Sequence, residues 1–404
     1  MYKLALSGLG VLCALSVYSQ TPFFYFESGF EGTSELTQYV LNGNPNLNNA
    51  DITGEDNGYD WELDLDDNPN VGSFRIFYEE GDTSRSIASI IPEPGNPSNH
   101  VLSYDIKLPH ITYSFNGEDT LDKGRIQVGI NGNPNWHEFH FRERLYIHPD
   151  FVELVDQPLP ISWLTIQEFW NNAAASTLPF RVTVNLRKAS GTGSDFYLGS
   201  HGQTRGTDPG DWDDVWDTVD VTFPLPFGEW FTLETHFVEG DSLTGAFTVT
   251  LTDAQNNVHN LIDISDFTHH PNDTAPDGVT NFNPMKLYTS GTLIDYMDSV
   301  DACLCLYWDD FTLWTDTTTV TDLTEAQNND GWSYYPNPVS STLTFNSSRK
   351  LESVEVFNLL GERLVTTSNL TSGSLDLSML PSGIYFARFV FVDQKERTIK
   401  LVKK

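Results

Sequence analysis

Apolar and polar residues alternate along much of this chain with a period of two, and no long stretch carries the 3.6-residue period of a helix. The clearest case is His137 to Asp150. Phe139, Phe141, Leu145 and Ile147 fall on one face of an extended strand; Glu138, His140, Arg142, Arg144, Tyr146 and His148 fall on the other. The first set suits a core between two sheets. The second is a row of cationic, aromatic and titratable groups, more than a solvated face needs. The same alternation predicts strands at Phe74 to Tyr78, Ser86 to Ile91, Val101 to Leu108, Arg125 to Ile130, Leu164 to Trp170, Phe180 to Lys188, Trp230 to Val238, Ala246 to Thr252 and Lys286 to Thr289. Turn chemistry separates them at Pro92 to Asn99, at Asn131-Gly132-Asn133-Pro134 and at Glu239-Gly240-Asp241. Gly191 to Asp220, rich in Gly, Asp and Trp, reads as a long loop. The pattern predicts an all-β, antiparallel two-sheet sandwich.

The two ends differ from this pattern. Lys3 followed by the apolar run Leu4 to Val17 reads as a signal peptide over 1–20, too short to span a bilayer. Thr315 to Asp330 is polar and linker-like, so the predicted division is a large domain at 21–316, a linker at 317–331 and a small β domain at 332–404.

Charge narrows the partners. The 404 residues carry a net charge of −34, and 21–330 holds 12 Lys/Arg against 50 Asp/Glu. Such a surface repels nucleic acid and anionic membrane. Eleven of those 12 basic residues lie between 75 and 205, which points to a local basic cleft. Of three cysteines, Cys13 is in the leader. Cys303 and Cys305, two apart on a predicted strand, read as two buried thiols, because an i,i+2 pair in extended chain fits a disulfide poorly.

Three segments resemble known families. The tail carries YPNPVSSTLTF (335–345), VEVFNLLGERL (354–364), LPSGIYFARF (380–389) and IKLVKK (399–404). Together these resemble the C-terminal sorting domain of the type IX secretion system of Bacteroidetes. That resemblance implies a small Ig-like β-sandwich, export across the outer membrane by the type IX machinery, and release or attachment at the cell surface. FFYFESGFEG (23–32) answered by LCLYWDDFTLW (304–314) resembles the concanavalin-like jelly-roll class, in which first and last strands pair. By that resemblance Glu27 and Asp309 or Asp310 are candidate ligands of a structural Ca²⁺. FRERLYI (141–147), TIQEF (165–169) and KLYTSG (286–291) loosely resemble the Arg-, Gln- and Lys/Tyr-bearing strands of jelly-roll polysaccharide lyases.

The chemistry of the polar rows agrees with the last resemblance. Phe180 to Lys188 places Arg181, Thr183, Asn185 and Arg187 on one face, and Lys286 to Thr289 places Lys286 and Tyr288 together. If these rows meet that of the central strand, they form a cationic, aromatic groove for an extended extracellular polysaccharide bearing uronates. Arg pairs bidentately with a carboxylate. In β-elimination the C5 proton becomes acidic once that carboxylate is neutralised. The candidate roles are Arg142 or Arg144 as neutraliser, Gln167 as its partner, and His140, Tyr146 or Tyr288 as base or acid. Arg181, Asn185, Arg187, Lys286 and His148 would bind substrate. The alternatives are a glycoside hydrolase using Glu143 and Glu168, both on the apolar parity of their strands, or a non-catalytic glycan-binding surface protein. No organic cofactor is expected.

Overall fold

The computed structural model describes residues 24–37, 49–66, 68, 71–78, 84–115, 118–172, 177–206, 211–315, 332–335, 339, 341–347, 350–358, 363–368, 373–381, 383–392 and 396–403. The predicted signal peptide at 1–20 and the predicted linker at 317–331 lie outside the described residues. Contacts divide the chain into a unit spanning Pro22–Thr318 and a C-terminal unit beginning at Thr319.

The first unit is an antiparallel sandwich. One sheet has eight strands, in the order Val258–Ile264, Ala246–Thr252, Trp230–Val238, Glu138–Ile147, Cys305–Thr315, Asn96–Ile106 and Ser86–Glu93, with Phe24–Ser28 also on Cys305–Thr315. First and last strands of the unit therefore pair, from Phe24↔Thr315 to Ser28↔Phe311. The second sheet has ten strands. Its centre runs Trp212–Val219, Phe196–Arg205, Phe180–Lys188, Leu164–Asn171, Val279–Asn283 and Glu118–Trp136, and Lys286–Ser290 pairs with both Glu118–Trp136 and Leu164–Asn171.

The inner faces pack as the alternation requires. Phe139, Phe141, Leu145 and Ile147 are fully buried, and Phe139 and Phe141 meet Phe169 and Phe282 of the other sheet. Four fully buried side chains of this size stabilise the sandwich by roughly 1.5–3 kcal/mol each. The outer faces of the two sheets consequently look in opposite directions.

Three sequence expectations need correction. The presumed loop Gly191 to Asp220 contains the strands Phe196–Arg205 and Trp212–Val219. Gly199 and Gly202 weaken the strand signal, yet each is required: a Cβ on Gly202 would lie 2.3 Å from the Trp216 ring, and one on Gly199 2.5 Å from the Arg187 side chain. The turn-rich Pro92 to Asn99 is a tight hairpin, its strands running through to Glu93 and from Asn96, with Gly95 at φ 86°. Cys303 and Cys305 form a disulfide, their Cα atoms 5.3 Å apart. Cys303 precedes the strand, which begins at Cys305, so the extended-chain objection does not apply.

The C-terminal unit has a three-stranded sheet (Trp332–Tyr335, Thr342–Ser347, Ser374–Asp376) and a four-stranded sheet (Arg363–Ser368, Leu351–Phe357, Gly383–Phe391, Glu396–Lys403). They enclose a core of their own that includes Leu343, Val354, Val356, Ala387, Phe389 and Leu401.

Candidate functional site

The predicted site residues separate onto the two outer faces. His140, Arg142, Arg144 and Tyr146 lie on the eight-stranded sheet, with His148 just beyond the end of the same strand. Arg181, Asn185, Arg187, Lys286 and Tyr288 lie on the ten-stranded sheet. The single groove expected from the sequence is therefore not formed. The rows alternate correctly, but their strands belong to different sheets.

Gln167 joins neither row. Its amide donates to Glu143 at 3.0 Å and accepts from Thr235 at 3.2 Å, all three being fully buried between the sheets. The cause is a bulge between Thr165 and Gln167. One extra residue reverses the facing of everything after it. Gln167 and Phe169 turn inward, and Glu168 and Trp170, expected inward, turn outward. Glu143 and Glu168 thus lie on opposite sides of the ten-stranded sheet and face no common cleft. Burial pushes the Glu143 carboxyl well above its ordinary range, with only the Gln167 hydrogen bond opposing. The expected Arg partner is replaced by an amide, and burial favours the neutral form.

On the ten-stranded face, Glu168 anchors a charge cluster. It accepts from Arg181 at 3.2 Å and from the Lys286 ammonium, which is completely buried. Burial pulls Lys286 down to about 8 against the opposing pull of Glu168. Burial would raise Glu168, but Lys286 and Arg181 hold it at about 2. Both values leave the pair charged at neutral pH. Arg181 also donates to Gln203 at 2.9 Å and stacks 3.8 Å from the centre of the Trp212 ring.

Tyr288 stands beside this cluster. Lys286 lies 5.0 Å and the Arg125 guanidinium 5.1 Å from its ring centre, and Arg125 and Tyr288 are direct partners across adjacent strands. Trp163 packs edge-on at 4.9 Å. Burial raises the Tyr288 hydroxyl, with Arg125 opposing. Among the described residues that hydroxyl makes no hydrogen bond, and the residue is only partly buried. Asn185 is buried, bonded to Thr165 at 2.8 Å and Thr183 at 3.0 Å. Arg187 pairs with Asp217 at 2.6 Å farther along its strand. Sequence reasoning missed Arg125, Trp212 and the outward Glu168. Only the register Arg125↔Tyr288 and the bulge at Thr165 reveal them.

The candidate calcium ligands Glu27, Asp309 and Asp310 lie among protein hydrogen-bond donors. Asp309 accepts from Asn99 at 2.8 Å, from Arg144 at 2.9 Å and from the backbone of Asp310 at 2.8 Å, so N–H donors occupy it. Asp310 accepts from the same Arg144 at 3.3 Å and, with Glu27, lines a pocket beside it. Among the described residues, Glu138, His140 and His236 bring ligand atoms within 4.8 Å of one another. The two imidazoles are parallel to within 5°, however, and their in-plane lone pairs do not converge on one ion.

Residues 333–404, which hold the seven strands of the C-terminal unit almost entire, match the family described as Secretion system C-terminal sorting domain. The tail is a type IX secretion sorting domain. The sorting domain marks the protein for export, as a secreted or surface-attached protein, and engages the type IX machinery. No helix among the described residues is long and apolar enough to cross a membrane. No curated protein matches the chain. Among solved structures the chain is similar to alginate lyase Aly36B (11% identity, 57% of this chain and 84% of that one, TM-score 0.34). It is similar also to the endo-β-1,4-glucuronan lyase of the fungus Trichoderma reesei (11%, 57% and 87%, TM-score 0.34). A third is the exoplasmic/lumenal domain of VIP36 (10%, 60% and 87%, TM-score 0.32). Likeness at this level concerns the fold alone.

Proposed function

We propose that the protein is a secreted polysaccharide lyase that cleaves a uronate-containing glycan by β-elimination on the outer face of the ten-stranded sheet. The observation that carries this reading is Tyr288: a hydroxyl that makes no hydrogen bond among the described residues, set between Arg125 and the buried Lys286. Arg125 and Arg181 neutralise the uronate carboxylate, which lowers the cost of carbanion character at C5. Tyr288, as phenolate, takes the C5 proton. The C5–H electron pair forms the C4–C5 double bond, the C4–O bond breaks, and the leaving oxygen receives the proton back from Tyr288. Trp170 and Trp212, packed edge to face at 5.5 Å, offer apolar surface for neighbouring sugar rings.

The test is incubation of the purified protein with polyuronates while following the ultraviolet absorbance of an unsaturated uronate. Absorbance should rise, and Tyr288→Phe should abolish the rise. New reducing ends without unsaturation would assign hydrolysis instead.

A further inference from the structure

The outer face of the eight-stranded sheet is built differently from the Tyr288 site and lies on the other side of the sandwich. Two rows of rings cross its strands. In one, His140 stacks between His236 at 3.9 Å and Trp314 at 5.1 Å, and Trp314 is the direct partner of Tyr25. In the other, Tyr146 packs between Trp230 at 5.3 Å and Tyr307 at 5.6 Å. The rows are six residues apart on the central strand, ~20 Å at the usual rise.

Between them lies a cavity of about 510 Å³, lined by Glu27, Arg142, Arg144, Glu234, Asp310 and threonine hydroxyls. Arg142 and Glu234 are direct partners in the strand register, yet neither makes an ion pair or hydrogen bond with a described residue. Both are exposed and line the cavity. Arg144, by contrast, is fixed by Asp309 and Asp310 and lies 4.6 Å from the Trp230 ring centre.

We infer that this trough is a second, non-catalytic carbohydrate-binding surface that takes an uncharged, hydroxyl-rich glycan. Three carboxylates face two guanidinium groups, so the lining repels a polyuronate. A sugar hydroxyl can donate to a carboxylate and accept from a guanidinium, which suits a mixed lining. Aromatic walls at both margins cover the apolar faces of pyranose rings. The inference does not depend on the lyase reading.

The experiment is affinity electrophoresis of the purified protein through gels containing a neutral β-glucan, a neutral mannan, a neutral xylan or a polyuronate. The original protein is compared with Arg142→Ala, the isosteric Glu234→Gln, and Tyr288→Phe. A neutral glycan should retard the protein. Retardation should weaken about tenfold or more in Arg142→Ala and Glu234→Gln, as loss of one charged hydrogen bond predicts, and should persist in Tyr288→Phe. Absence of retardation by all three neutral glycans, or retardation that survives both trough substitutions, overturns the inference. So does Arg142-dependent retardation confined to the polyuronate.

Discussion

The Glu168 carboxylate receives the Lys286 ammonium from a neighbouring strand, and both side chains are buried. Removing the acid alone strands two cations, Lys286 and Arg181. Breaking a buried pair from one side costs about 3–5 kcal/mol. Glu168→Gln should therefore lower the unfolding free energy obtained from urea titration by about that amount. A change within error would show that the pair is dispensable.

Glu143→Gln should behave in the opposite way. Burial holds Glu143 protonated in the fold above its ordinary range, so the folded chain keeps a proton that the unfolded chain releases. Its contribution is complete below the ordinary carboxyl value and declines as pH rises toward the raised folded value. Gln has no such proton to lose. The stability of the variant relative to the original should improve as pH rises from the ordinary carboxyl range through neutrality, read from unfolding curves across that range. Glu168, held at about 2, has the reverse sign: its contribution is present above the ordinary carboxyl range and is lost as pH falls through about 2.

Tyr288→Phe should cut the elimination rate about 10²–10⁴-fold, the usual worth of a positioned acid or base, while melting unchanged. An equal loss in melting temperature would reassign Tyr288 to packing.

The pH–rate profile should rise from acid through neutrality, because burial raises Tyr288 and its phenolate is a growing minority there. The rise should bend near the Lys286 value of about 8, where the adjacent positive charge begins to disappear. An acid optimum would be incompatible with a tyrosine base.

Gly202→Ala places a methyl against the Trp216 ring, whose indole N–H is tied at 2.8 Å to the Phe267 carbonyl. Overpacking of this kind costs about 1–3 kcal/mol, and calorimetry should show it.

Alternation along the chain revealed the sandwich and the buried face of the central strand, while the pairing of the first and last strands was legible only through the resemblance of 23–32 and 304–314 to the concanavalin-like class. Alternation could not reveal which sheet each strand joins. Arg142 and Arg181 both sit at outward positions, and a period of two carries no information about pairing partners. Facing was legible only as far as the first irregularity. Leu164 to Trp170 looks regular, and nothing in its composition marks the bulge that turns Glu168 toward Lys286. The strand Phe196–Arg205 was hidden for another reason: its glycines make room for Arg187 and Trp216, which are contributed by other strands.

That bulge sets the facing of the site. Ile166 is the extra residue, between the pairs Thr165↔Asn185 and Gln167↔Val184, so a chain lacking it would alternate simply and still point Glu168 outward and Phe169 inward. What would lose the site is the full-length strand drawn straight without its bulge: Glu168 would enter the apolar interior and Phe169 would face water, with every letter of the cluster conserved.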